Sequence, residues 1–144
     1  MSRRTAEEGQ TTLLLVGFFL VAALLVVVVV DASAAYLRRQ HLDALADGAA
    51  LAAADAIAGE RVYVGGLDQR AEIDPELARA HVAEHLRAIE AHREYPGLRY
   101  HVRTTPDSVE VSVVAPLELP FSPPGWAEQS RVTGTAAAFV QVVG

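Results

Sequence analysis

The densest grouping of side chains able to do chemistry is His81-Val82-Ala83-Glu84-His85. Two histidines four residues apart with a glutamate between them follow the inverted zinc-hydrolase order, in which both imidazoles hold Zn2+ and the carboxylate acts as base. On a helix His81 and His85 share one face, and His92 lies two turns further on. A catalytic zinc also needs a third ligand, an open coordination position and a substrate cleft. The rest of the chain offers no recognisable source of them. A solvated helix face carrying His, Glu and Arg, with Val82 and Leu86 on the buried side, explains the same letters. A small zinc hydrolase using His81, Glu84 and His85 is therefore the remote alternative. No G-x-S-x-G elbow surrounds a serine, no glycine loop is spaced to cradle phosphate, and the 144 residues include no cysteine. The chain reads as non-catalytic, with no cofactor and no small-molecule substrate.

The elements that would carry these residues follow from capping and period. Asp74-Pro75-Glu76 is a helix start, with Asp as N-cap, Pro at the first position and an acid in the first turn. The helix is predicted to run to about Glu94, with Ala78, Val82, Leu86 and Ile89 on one side and Pro96-Gly97 ending it. From Leu98 the period becomes two. Leu98, Tyr100, Val102 and Thr104 predict one half-buried strand, and Val109, Val111, Val113 and Ala115 a second, joined by the turn Thr105-Pro106-Asp107-Ser108. Pro116, Pro120, Pro123, Pro124 and Gly125 make an irregular connection. Arg131 to Val143 is a third strand, with Ala136 to Ala138 small enough to lie under a helix.

What lies upstream sets the class of protein. Thr11 to Val30 is a run of twenty uncharged, mostly apolar residues. As a helix it is about 30 Å long, the thickness of a bilayer's hydrocarbon core. No turn signal follows Asp31: residues 32 to 58 contain no proline and only Gly48, so the helix is predicted to continue into water. Along that continuation Leu42, Leu45, Ala46, Ala49, Ala52, Ala53 and Ile57 recur at three- and four-residue spacing, a packing stripe made mostly of alanine. Arg39, Asp43 and Asp47 form a charged stripe expected to face water. Gly59 and then Gly65-Gly66 punctuate a loop or short extended piece around residues 61 to 64.

Two readings of the N-terminus compete. Arg3 and Arg4 with the Ala32-Ser33-Ala34 triplet fit a cleaved secretory signal. The length of the apolar run and the helical pattern crossing the supposed cleavage site favour a retained anchor. Asp31 fits a headgroup-level boundary, where charge costs little, or a residue that holds a partner helix in register. Arg3 and Arg4 before the span balance Arg38 and Arg39 after it, but Asp31, Asp43 and Asp47 crowd the C-terminal side. The orientation expected is N-terminus in the cytoplasm and C-terminal domain outside. The net charge of −6 lies wholly from Asp31 onward, and an acidic domain argues against nucleic acid or anionic lipid as partners. All twelve basic residues are arginine, which reads as coding bias.

Glu8-Gly9 before the span, Asp31 at its end, Tyr36-Leu37-Arg38-Arg39, Leu42, and Asp47-Gly48-Ala49-Ala50-Leu51-Ala52-Ala53-Ala54 together carry a resemblance. Over about the first 55 residues the chain resembles TadE/TadG-like Flp pilus-assembly proteins. Beyond them the likeness to pilins and pseudopilins is architectural. The resemblance implies a bacterial pilus or related secretion machine, an inner-membrane anchor, and partners that are other pilin-like or assembly subunits, met through the N-terminal helix. It marks Gly9 and Gln10 as a processing site. Leu14 then stands at the fifth mature position, where related pilins favour Glu, so a processed minor pilin and a permanently anchored assembly factor both stay open.

The expectation is an α+β, pilin-like fold. It has a long N-terminal transmembrane helix continuing into a small domain with a second helix and a three-stranded antiparallel sheet. The division is 1–10 cytoplasmic, 11–30 in the membrane, 31–58 the helix continued, and 59–144 the small domain. Asp31, Tyr36, Leu42, Leu45, Ala49, Ala52, Ala53 and Ile57 are the candidate packing and assembly positions. An extracytoplasmic binding module unrelated to pili, secreted or anchored, is the alternative.

Overall fold

A computed structural model describes residues 4–64, 73–117, 119–121 and 130–140, with side chains from residue 11 and none over 61–64. Helix α1 (Arg4–Val64) is a single 61-residue element. It passes through Asp31 without a break, as the absence of turn signals predicts. It also passes Gly59, where the sequence pattern places a boundary, and residues 61–64 are helical rather than extended. A lone mid-helix glycine costs about 1 kcal/mol against alanine, too little to end a helix whose neighbouring residues all accept helical backbone. The Gly65-Gly66 pair, Pro123 to Gly125 and positions 141–143 of the expected third strand lie outside the described residues, and that strand already ends at Phe139.

Helix α2 (Pro75–Ala88) begins where its signals place it: Asp74 Oδ1 accepts the Glu76 amide at 2.9 Å. It ends earlier than the expected Glu94. Glu90 adopts left-handed backbone (φ 52, ψ 34), and a short turn of helix, α3 (Ala91–Glu94), follows. The reason is phase. The buried series Ala78, Val82, Leu86 would next bring Glu90 into the core if the helix ran on. The left-handed residue resets the register, so Ala91 and Tyr95 are buried instead and Ile89 is turned out to solvent. Pro96-Gly97, with Gly97 at φ +79, closes a turn in which the Leu98 amide donates to the Tyr95 carbonyl.

Strands β1 (Arg99–Thr104), β2 (Ser108–Pro116) and β3 (Arg131–Phe139) form one antiparallel sheet in sequence order. The period-two reading holds. Val109, Val111, Val113 and Ala115 are buried, and the Arg99, His101 and Arg103 side of β1 is exposed. One face of the sheet is covered: α1 lies over β3 and β2, and α2 packs beside it on β1. The result is two layers, α+β, with one core.

The closest approach is where α1 crosses β3. Gly134 is buried beneath Leu42 and Asp43, and a Cβ there would overlap the backbone carbonyl of Leu42 and the amide nitrogen of Asp43. The helix side of the contact is small as well, with Ala46, Ala49, Ala50, Ala53 and Ala54 all buried. Asp43 is not simply solvated: its Oδ1 accepts the Thr135 amide of the edge strand at 3.2 Å, and Arg39 lies 3.9 Å from its other oxygen. Replacing Gly134 with alanine therefore lifts the helix from the sheet. Denaturation of the full chain in detergent should show Gly134→Ala losing about 3 kcal/mol, the upper range of overpacking. Gly59→Ala, which meets no atom within 4 Å, should be neutral or stabilising by up to about 1 kcal/mol.

Candidate functional site

Most of the exposed apolar surface lies along α1, with Ile89, Phe121 and Phe139 the large exposed side chains elsewhere among the described residues, and α1 is the place to look for function. Its segment Leu13 to Val30 presents its large side chains to the outside, from Leu13 at 74% to Val30 at 39% exposure. Among the described residues this is the one helix long and apolar enough to cross a membrane, with a mean hydropathy of 3.4 over its most apolar stretch and none of that stretch buried. A soluble chain rarely leaves so large an apolar surface bare.

Past Asp31 the two sides of α1 diverge. The positions expected to pack divide as follows. Leu42, Ala49, Ala53 and Ile57 are buried within the protomer, against its own sheet and α2, while Leu45 and Ala52 are half-buried at the edges of that contact. Tyr36 is exposed, with its hydroxyl accepting from Gln40 Nε2 at 3.0 Å. The opposite side keeps Leu37 at 53% and Leu51 at 52% exposure, fourteen residues apart with exposed Ala44 midway, so they fall on one stripe. Asp31 is half-buried and accepts the Phe121 amide at 3.3 Å, a contact that no local sequence signal marks because the partners are ninety residues apart. Gly9 and Gln10 lie in the helical backbone of α1's first turns.

The histidine motif sits on α2, as capping and period place it. His81 Nδ1 is 3.9 Å from Glu84 Oε2. His85 lies instead against α1 at Gly48, where an added Cβ would meet its Nε2 at 3.4 Å. At that distance a Cβ would make ordinary contact, so His85 packs on Gly48 without requiring the glycine. Among the described residues no group of three or more His, Asp or Glu side chains is placed to hold a metal ion. His85 lines an open groove of about 350 Å3 with His41, Leu45, Gly48, Ile89 and Tyr95. At its edge the Arg38 guanidinium sits 4.4 Å over the Tyr95 ring, while Arg38 Nε is buried with no hydrogen-bond partner among the described residues. That stacking is a cation–π clamp between α1 and the α3 turn.

The geometry defines a helix-mounted α+β domain whose exposed apolar surface runs along one long helix. Comparison with known families then gives a specific match: residues 9–56 fit the family model described as "Putative Flp pilus-assembly TadE/G-like". The matched segment takes in the apolar run, the Asp31 junction and most of the alanine face, and over that third of the chain the sequence is similar to this family. No curated protein and no solved structure matches the chain. Sequence reasoning missed the Asp31–Phe121 contact and the outward Leu37–Leu51 stripe. Spacing alone could have found the stripe; the contact required the fold.

Burial pushes the Tyr95 phenol above its ordinary range, with the Glu94 carboxylate adding to the rise and Arg38 working against it. A raised folded-state value means this contribution is complete below the unfolded value near pH 10, and is lost as pH climbs through the folded one. Urea denaturation from pH 8 upward should show stability declining above about pH 10. Tyr95→Phe should flatten that decline; an unchanged alkaline slope would assign the loss to other groups.

Proposed function

We propose that this chain is a non-catalytic, membrane-anchored component of a Tad/Flp-type pilus or related secretion machine. In this reading α1 spans the bacterial inner membrane once through residues 11–30. The N-terminus stays in the cytoplasm, and the domain stands outside as a minor pilin or assembly factor. The observation that carries the proposal is the division of labour around α1. One face is filled by the chain's own sheet and α2, while Leu37 and Leu51 on the other continue the exposed apolar surface beyond the span. A helix bare in lipid can present that same surface to neighbouring helices, so anchoring and assembly use one element. The TadE/G-like match over residues 9–56 supports the choice of machine. The residues matched are those of the helix rather than of the sheet.

The test is co-purification of the tagged full chain from solubilised membranes. Pilus-machine subunits should accompany the wild type. The double variant Leu37→Arg/Leu51→Arg should lose them while staying in carbonate-washed membranes, since exposed substitutions of this kind alter stability by only about 0.5 kcal/mol. A wild type that brings down no such subunits contradicts the proposal. A variant that retains them all removes the stripe from it.

A further inference from the structure

We infer that the described residues just past β2, Leu119 to Phe121, form a second contact with the bilayer, seated at its interface beside the exit point of α1. The inference rests on α1 spanning the membrane and goes beyond it. It begins from the hydrogen bond between Asp31 and Phe121. The apolar run ends at Val30, and the next residue's carboxylate holds the Phe121 amide at 3.3 Å. The Phe121 backbone is therefore level with the end of the span, where headgroups meet acyl chains.

The side chains fit that place. Phe121 is 56% exposed, Pro120 is exposed, and Leu117 and Leu119 are half-buried. The ladder shows which end of the domain this is. Leu117 donates to the Ser130 carbonyl just beyond the Pro116–Arg131 pair, on the Asp31 side of the Gly134–Leu42 crossing. The other end of the sheet, at Arg103 and Glu110, is six residues of β2 away, about 20 Å. An exposed Phe ring gains by leaving water at the boundary between headgroups and acyl chains, and exposed Arg131 on the neighbouring strand suits lipid phosphates. The occupant we assign is the lipid of the membrane that α1 crosses, because the patch continues the apolar surface of the span. A helix alone leaves the helix and its domain free to tilt and to rotate together about the helix axis; a second contact fixes which face the domain presents.

The chain has no cysteine, so single sites can be labelled. The full chain carrying Phe121→Cys, Arg103→Cys or Val21→Cys, each with an environment-sensitive fluorophore, is reconstituted in phosphatidylcholine vesicles containing lipids brominated on the acyl chain. The label at 21 should be quenched by deep bromines. The label at 121 should be blue-shifted and quenched about twofold by shallow ones, and that at 103 should be unaffected. Asp31→Ala should reduce quenching at 121 and leave it unchanged at 21, which separates the held position from a label that partitions by itself. Quenching at 21 with none at 121 overturns the second contact and leaves the anchor standing, as does quenching at 121 that Asp31→Ala does not alter. No quenching at 21 overturns the anchor and the contact together.

Discussion

Backbone meets backbone where α1 crosses β3, and the rest of the domain is arranged around that crossing. Gly134 admits the Leu42 turn of the helix, and the buried alanines that follow keep the contact close for about three further turns. Small residues contribute little apolar area of their own. The bulk of the core comes from the other partners, Val109, Val111 and Val113 on β2 and Val82 and Leu86 on α2, each contributing about 1.5–3 kcal/mol on burial. Larger side chains on α1 would hold more area but would push the helix off the sheet. The alanine face is thus a geometric device that lets a long helix lie flat on a small sheet.

That constraint explains what could be read in the residues beforehand. The span, the uninterrupted run past Asp31, the Asp74 cap and the two alternating strands are local patterns, and each is present where its pattern lies. Most of the features that escaped depend on partners distant in sequence. Glu90 turns left-handed because continuing α2 would bury its carboxylate, a fact about the core rather than about residues 85–95. Gly59 looked like punctuation and is carried through, because helical neighbours on both sides outweigh its small penalty. Gly134 has an ordinary strand context and reveals its role only once the helix is above it. The candidate site followed the same rule. The leucine and alanine positions were visible as a stripe, but which of them the chain uses internally depended on where the sheet packs.

The histidine motif shows the reverse case, a local pattern whose chemistry depends on its surroundings. His85 rests on Gly48, His81 faces Glu84 across one turn, and Tyr95, which lines the groove beside His85, carries Arg38 on its ring. These residues join α1 to the α2–α3 corner. Asp31 and Asp43 add to the same connection, each holding a backbone amide of the sheet side with a carboxylate from α1.

The central claim is that anchor and spine are one rigid helix, with no hinge where the apolar run gives way to the domain. The most direct measurement is the distance between spin labels at Val26 and Leu51 in the full chain in lipid bilayers, two exposed positions on either side of Asp31. Twenty-five residues of unbroken helix place the two backbone sites about 38 Å apart. A single narrow distribution near that length is expected. A broad distribution, or one centred well below it, would show a bend at the junction and contradict the claim.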